Sequence, residues 1–391
     1  MHDLAIAGAG PAGASAARAA ALAGLSVLLL DKDVFPRHKP CGGALSVQGL
    51  EALGFPLPDS LAERDFHGGL LCIDGARNLA APHARTGVLV QRRAFDALLV
   101  DKARQAGAEV REGETVVAIE EDTRGVTIRT QGRGPKGRRS GRDGARSCRA
   151  SLLLVAEGAA GRLKLHVRPP DRPEDVNFCV CADVPCTGGV TLPDNPLLLH
   201  FGICAVTYGW VFPRRTDCSV GMSELGPHRR LAQAHFAELC RIHGIPVPQK
   251  VDGAKIPMGG VERSVYRGRV LLAGDAGGFA DPLLGEGISH AVRTGQWAAE
   301  AARRALEAGD PLAAGPMHHA FTRPLHQELR HALRLVRALE RAPRRLFRAM
   351  LTHPPALCRY VDILAGRNTY ADFIRFLKRR FPLYLLRSLW A

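Results

Sequence analysis

The sequence predicts an α/β fold in three parts: a parallel-sheet domain assembled from separated pieces, an antiparallel-sheet domain set between them, and a basic helical segment at 311–391. Three observations predict it. Two apolar runs, Leu4–Ala7 and Val270–Ala273, each lead into a glycine-rich turn and then a helix-like stretch. Short runs punctuated by Pro and Gly fill 166–254, which reads as antiparallel strands. Residues 323–391 carry 15 Lys+Arg against 4 Asp+Glu.

Composition narrows the function classes. The 391 residues are 46% hydrophobic and 23% charged, ordinary globular usage that excludes a disordered or fibrous chain and allows two or three domains. No uninterrupted apolar run is long enough for a spanning helix, and no basic leader precedes the first apolar run, so neither a membrane span nor a secretory signal is expected. A formal charge of +15 points to anionic partners: nucleic acid, an acidic membrane surface or phosphorylated substrates. The ten cysteines have no framework spacing, and no metal site is expected. Cys179, Cys181 and Cys186 read as plain thiols packed on a strand, which suits a reducing cytosol.

The first element is strand, glycine turn, helix, strand. Leu4–Ala7 precedes Gly8-Ala9-Gly10-Pro11-Ala12-Gly13, an Ala-rich stretch follows, and Val27–Leu30 ends at Asp31. In such a Rossmann-like βαβ unit Gly8 allows the tight turn, Gly10 lets a pyrophosphate approach the backbone, and Gly13 lets the helix lie close to the sheet. The helix N-terminus offers free N–H groups to phosphates, and Asp31 stands where a carboxylate binds ribose hydroxyls. The motif alone does not separate FAD from NAD.

The second element runs Gly268-Arg-Val-Leu-Leu-Ala-Gly274-Asp275, then Ala276-Gly277-Gly278, Asp281-Pro282 and Gly285-Glu286-Gly287-Ile288, before a helical stretch from Ser289 to Ala305. A carboxylate after a buried strand can accept from a sugar-like hydroxyl, and a glycine turn opening a helix can aim N–H groups at a ring edge. With both motifs present, the chain resembles the two-motif FAD proteins related to p-hydroxybenzoate hydroxylase. That resemblance implies FAD, with its ADP half on the first motif, Asp275 on the ribityl chain, and Gly287 and Ile288 near the ring. The group's third motif is Asp-Gly; here Leu152–Ala156 leads into Glu157-Gly158, a carboxylate displaced by one methylene.

Three further segments narrow the resemblance: Lys39-Pro40-Cys41-Gly42-Gly43, Tyr208-Gly-Trp210-Val-Phe212-Pro213, and Gly366 followed by Tyr370. Together they resemble the geranylgeranyl reductase family across nearly the whole chain. The family uses reduced FAD to saturate carbon–carbon double bonds in isoprenoid chains of ether lipids, pigments and quinones. The resemblance implies that substrate class, an electron donor such as NADPH or a ferredoxin-like partner protein, and Arg92, from the family's Arg-x-x-Phe-Asp, touching FAD. Arg93 reads as a solvated neighbour. Val116 or Val117 would lie near the adenine, or serve as a plain core valine.

Such chemistry needs a hydride source held face-on to the alkene, a proton donor opposite, and a long, dry apolar cavity. Tyr208, Trp210 and Phe212 alternate, so they share one face of a strand that Pro213 ends, and could wall that cavity or form a core stripe. Cys41 is open to a catalytic or gating role or to packing beside the ring; the proton donor is open among Cys41, Tyr208 and water.

The cofactor domain is expected at 1–70, 86–165 and 255–310, and the antiparallel-sheet substrate domain at 71–85 and 166–254. Residues 132–149 read as a basic loop within a hairpin. In Gln327–Arg341, bracketed by Pro324 and Pro343, Leu329, Ala332, Leu333 and Val336 share one helical face and Arg330, Arg334, Arg337 and Arg341 another. Farther on, Phe373, Phe376, Leu377, Phe381, Leu383, Tyr384, Leu385, Leu386, Leu389 and Trp390 mix with Arg375, Lys378, Arg379, Arg380 and Arg387, a pattern that suits an anionic lipid surface on the inner face of a membrane. Without a finger, RNP or helix-turn-helix signature, no nucleic acid is expected. Two other readings stand beside the reductase: a flavin monooxygenase or halogenase on the same fold, and a basic binding protein with a vestigial flavin fold.

Overall fold

The computed structural model describes residues 1–73, 76–132, 145–185, 195–204 and 206–389, with side-chain surroundings for all of these except 76, 81–84 and 389. Two eight-stranded sheets organise them. In the first, His2–Ala7 lies between Val27–Leu30 and Ala145–Val155, parallel to both, with Leu4 opposite Val27 and Leu152. Val270–Leu272 extends the parallel run beside Ala145–Val155, and Glu109–Arg111 extends it beside Val27–Leu30. The expected strands are continuous apolar runs because both faces are covered. Leu4, Ile6, Leu29, Leu152 and Leu154 pack under the helices Pro11–Leu22, Arg92–Gln105 and Ile288–Glu307. The alternating residues Ala5, Ala7, Leu28, Leu30, Leu153 and Val155 pack against the hairpin Glu114–Asp122/Gly125–Gly132. Gly125–Gly132 also pairs antiparallel with Ala145–Val155, as the hairpin reading expects; Gly132 and 145–149, expected in the loop, belong to these strands, and 133–144 lie outside the described residues.

The second sheet runs Asp252–Pro257, Val176–Pro185, Asp217–Leu225, Gly209–Pro213, Leu197–Phe201, Arg64–Ile73, Ala76–Leu89, Ala44–Ser46. It is antiparallel except where Leu197–Phe201 runs parallel to Arg64–Ile73. The limits expected at 70/71, 85/86 and 254/255 fall inside Arg64–Ile73, Ala76–Leu89 and Asp252–Pro257, strands that this sheet holds whole. Composition changes little along those strands, so their sheet membership had no local signal. One face of the sheet carries helix Ala232–Ile242 and the other the C-terminal helices. Cys179 and Cys181 are buried free thiols on Val176–Pro185, whereas Cys218 is in a disulfide, which spacing alone did not disclose; Cys186 lies outside the described residues.

The C-terminal region is helical, with one correction. The helix expected over 327–341 spans Ala314–Glu340, and Pro324 lies inside it rather than at its start. Proline removes one N–H and disfavours the helix locally, but burial of Leu329, Ala332, Leu333 and Val336 sustains the helix beyond it. Of the arginines on its other face, Arg337 pairs with Asp175 (3.0 Å) and Arg330 with Glu262 (2.5 Å). Arg344–Leu351, Pro354–Leu364 and Tyr370–Leu389 follow. No helix among the described residues is long and apolar enough to cross a membrane.

His318 fixes this helix to the first sheet. It is fully buried, and its Nε2–H donates to the Leu272 carbonyl at 2.8 Å while Nδ1 has no hydrogen-bond partner among the described residues. Burial pushes its pKa down from 6.5 to about 4. Between those values the unfolded chain binds a proton that the folded chain refuses, so stability falls as pH drops through that window. We expect wild type to lose about 3 kcal/mol more than His318→Gln between pH 7 and pH 4. Urea midpoints of both proteins across that range check it, and parallel curves would contradict it.

Candidate functional site

The first glycine turn is shaped by close approach. Gly8 has φ +102°, and a Cβ there would stand 2.5 Å from the Ala156 carbonyl oxygen; a Cβ on Gly13 would stand 1.8 Å from the Gly8 oxygen. The helix Pro11–Leu22 is thereby drawn onto the strand ends, with Pro11, Ala12 and Gly13 buried in its first turn. Gly10 faces the opposite way, into open space where the nearest heavy atom is an Arg37 guanidinium nitrogen at 3.8 Å. The helix has no side-chain cap and no acidic residue in its first turn, so its leading N–H groups keep their positive potential. Asp31 accepts from Ala9 N (2.6 Å) and Asp33 N (2.8 Å), which pins the second strand to the turn; burial still raises its pKa. Glu157 accepts from Leu163 N (3.2 Å), and burial likewise raises its pKa, with the nearby Asp31 charge adding to the effect.

The second motif forms a tight turn, Gly274–Ala276, whose Gly274 N donates to the Thr294 hydroxyl at 3.0 Å. No hydrogen bond or ion pair to another described residue engages the Asp275 carboxylate. Burial raises its pKa, and the charges of Lys39, Arg92 and Lys164 pull it back. A Cβ on Gly287 would meet only Asp275 Oδ1, at 3.9 Å. Ile288 is buried at the start of Ile288–Glu307.

The segment 39–46 joins the two motifs. Cys41 Sγ accepts from Gly43 N at 3.4 Å and lies within electrostatic reach of the Arg92 guanidinium. Arg92 is itself held bidentate by the fully buried Asp96 at 2.8 and 2.8 Å, and Arg37 reaches the same carboxylate at 3.0 Å. Gly42 lies under the aromatic strand: a Cβ there would stand 2.9 Å from the Phe212 ring and 3.2 Å from Trp210 Nε1. Ser46 Oγ donates to Glu286 (2.5 Å), tying this segment to Gly285–Gly287. The Tyr208 hydroxyl donates to the Leu284 carbonyl (2.5 Å) and lies beside Gly285; burial raises its pKa, so the phenol stays protonated. The structure thus brings Lys39, Cys41, Gly42, Gly43, Arg92, Tyr208, Trp210, Asp275, Gly285 and Gly287 to one region. Arg93 is exposed as expected; Val116 is buried in the core beneath the first sheet, and Val117 is exposed at a register shift.

Tyr208, Trp210 and Phe212 share a face of the sheet, yet they do not line the apolar cavity beside them. That cavity is small, about 20 Å³, and is walled by Phe201, Leu283, Leu335, Phe347, Tyr360 and Phe373 among others. Phe201 connects it to the Tyr208 ring, 5.6 Å away between centroids. The Tyr360 hydroxyl is buried on its wall with no hydrogen-bond partner among the described residues. Sequence reading also missed how the flavin-motif loop is braced. Tyr370, known beforehand only as the end of a family pattern, donates to both oxygens of Asp281 (2.8 and 2.7 Å), and Asp281 accepts from Leu283 N and Leu284 N, both at 2.8 Å.

Comparison with known proteins decides among folds of this kind. A model described as FAD binding domain matches residues 1–170. Digeranylgeranylglycerophospholipid reductase 1 of Methanopyrus kandleri is 31% identical over 326 residues, covering 80% of this chain and 83% of the relative. The chain belongs to the geranylgeranyl reductase family. It is an FAD-dependent oxidoreductase. Another relative of this chain, menaquinone reductase of Mycobacterium tuberculosis, is 30% identical to it over 325 residues, 76% of each chain. A geranylgeranyl bacteriochlorophyll reductase-like protein of Thermoplasma acidophilum shares the fold with a TM-score of 0.78 over 98% of this chain and 97% of its own, at 18% identity. The flavin-dependent brominase Bmp2 shares it with a TM-score of 0.71 at 19% identity, covering 97% and 99%. The residues fit the cofactor: Gly10 and Gly287 leave open backbone cradles, and Asp275 offers an unengaged carboxylate between them.

Tyr370→Phe removes one donor from a buried carboxylate and should cost about 1–3 kcal/mol, while lowering the flavin retained through gel filtration. Denaturant unfolding and the visible absorbance per chain read the two effects; a variant equal to wild type in both would refute the bracing role.

Proposed function

We propose that this chain saturates carbon–carbon double bonds of an isoprenoid chain carried by a lipid, quinone or pigment, and that it does so at an anionic membrane surface. One observation carries the reading: an apolar, aromatic-walled cavity abuts the loop Leu283–Gly287 and Tyr208, where the two FAD motifs meet. The names of the relatives support the substrate class. When bound and reduced, by NADPH or a ferredoxin-like partner, FAD supplies the hydride.

The chain's own residues do the rest. Phe201, Leu283, Phe347 and Phe373 keep this apolar space closed to water, and an alkene held there by dispersion would have to part them on entry. The raised pKa of Tyr208 keeps a proton available beside Gly285, and Cys41, held by Gly43 N, is the other candidate donor. The helix Tyr370–Leu389 turns Phe373 into the cavity and presents Phe381, Leu385 and Leu386 to solvent, 47%, 46% and 60% exposed. Arg375, Lys378, Arg379 and Arg380 are exposed beside them, so the outer face suits a bilayer of anionic lipids.

Anaerobic incubation with reduced FAD and geranylgeranyl lipids should add two hydrogens per double bond, read by mass spectrometry. Product that appears only in air would overturn the reduction in favour of oxygen chemistry. Tyr208→Phe and Cys41→Ser, each compared with wild type for turnover at equal flavin content, identify the proton donor: the one that matters should lose at least about tenfold.

For the surface, Leu385→Glu combined with Leu386→Glu should weaken sedimentation with phosphatidylglycerol vesicles by about tenfold or more. Binding to neutral vesicles should be weak in both proteins. Equal sedimentation of variant and wild type would exclude this helix as the contact.

A further inference from the structure

On the face of the second sheet turned away from the flavin motifs, three chemically different ligand groups converge. Cys204 follows strand Leu197–Phe201, Glu224 is near the end of Asp217–Leu225, and His235 lies on helix Ala232–Ile242. One ligand atom from each, Sγ, a carboxylate oxygen and an imidazole nitrogen, lies within 4.8 Å of the other two. Met222 adds a fourth soft donor, its Sδ 3.0 Å from Cys204 Sγ. The convergence follows from the fold. Met222 and Glu224 alternate on the same strand face, and the turn after Leu225 folds the helix back over that face.

We propose that Cys204, Glu224 and His235 form a zinc site. The donor set decides the ion. A thiolate and an imidazole with one carboxylate are zinc ligands, whereas calcium and magnesium take oxygen. Charge gives an independent argument. Glu224 is buried, 3% exposed, and its charged partner among the described residues is His235 alone, through a hydrogen bond to Nδ1. The Cys204 thiol is buried against the same carboxylate. A divalent cation with thiolate, carboxylate and neutral imidazole sums to zero, which suits a buried cluster better than a carboxylate with no permanent cation. On binding, the Cys204 thiol loses its proton to solvent and the Glu224–His235 hydrogen bond gives way to two bonds to the metal; nothing is oxidised or reduced. The fourth position falls to Met222 or to water entering past His235, whose side chain is 25% exposed. Thr207 is already placed to support the site, its hydroxyl donating to the Ser223 carbonyl (2.6 Å) that Cys204 Sγ also approaches at 3.4 Å. Such an ion would pin the segment after Leu197–Phe201, the strand and the helix together, away from the redox chemistry.

The test uses the flavin-loaded, full-length protein, stripped of metal by chelator dialysis and kept reduced. Zn²⁺ is titrated in competition with a chromophoric chelator, and Co²⁺ is added as a spectroscopic probe. We expect one Zn²⁺ per chain at submicromolar affinity. Co²⁺ should give tetrahedral bands in the red, beyond flavin absorption, with a thiolate charge-transfer band. Affinity should fall at least about 100-fold in Cys204→Ser and in His235→Gln, and stay unchanged in Cys240→Ser, a buried thiol of the same core outside the site. Flavin content per chain, equal to wild type, shows that each variant is folded. Should a variant lose its flavin, the wild-type Co²⁺ spectrum decides alone. Absence of saturable Zn²⁺ binding, binding undiminished in both variants, or a Co²⁺ spectrum without the thiolate band overturns the proposal.

Discussion

The buried carboxylate of Asp281 is the joint on which the site depends. It takes two backbone N–H donors from its own loop and a hydroxyl from Tyr370, so one side chain fixes the loop and the loop's distance from the C-terminal helices. Burial raises its pKa, and a buried carboxyl lacking those donors would be costly. The same loop carries Leu283 into the apolar cavity, presents the Leu284 carbonyl to Tyr208, and sets Gly285 to Gly287 beside Asp275. Cofactor motif, aromatic strand and cavity are therefore in mutual register because one polar contact is satisfied.

A second constraint is close packing at the two glycine turns. The sheet is buried on both faces, so neither turn can move outward without uncovering apolar strand. Gly13 against the Gly8 carbonyl, and Gly43, whose Cβ would stand 2.1 Å from the Val90 oxygen, hold backbone where any side chain would intrude. Ser46 with Glu286 then ties together two segments that lie 240 residues apart. Arg92 acts in the same sense. Locked to Asp96, it sets a fixed positive charge near Cys41 rather than a mobile surface charge.

What was legible in the sequence was what local chemistry determines. The turn at Gly8–Gly13, the strand into Gly274-Asp275, the parallel sheet and the basic helical end follow from periodicity and from residues with a single steric solution. The aromatic run was legible as a shared face, but its partner was not. Alternation says which side chains face together; it does not say that Gly42 comes to rest beneath them or that the cavity draws its walls from Phe347, Tyr360 and Phe373 instead. The full extent of Arg64–Ile73 and Ala76–Leu89 beyond 71–85 was hidden for the same reason, since their partners Leu197–Phe201 and Ala44–Ser46 are chosen by tertiary packing. Pro324 shows a local rule yielding to burial: its helix continues because the apolar stripe beyond it has a core to fill. The Cys204, Glu224 and His235 convergence had no spacing signature, because strand, loop and helix each contribute one residue.

The tie between Asp281 and Tyr370 also bears on how the molecule is made. Eighty-nine residues separate them, so during vectorial synthesis the loop leaves the ribosome well before the helix that braces it. Nascent chains can assemble the first parallel strands early, but Asp281 in the second glycine segment lacks its hydroxyl donor until Tyr370–Leu389 docks. A chain released before Tyr370 emerges would carry both fingerprints but leave the Asp281 carboxyl without that brace.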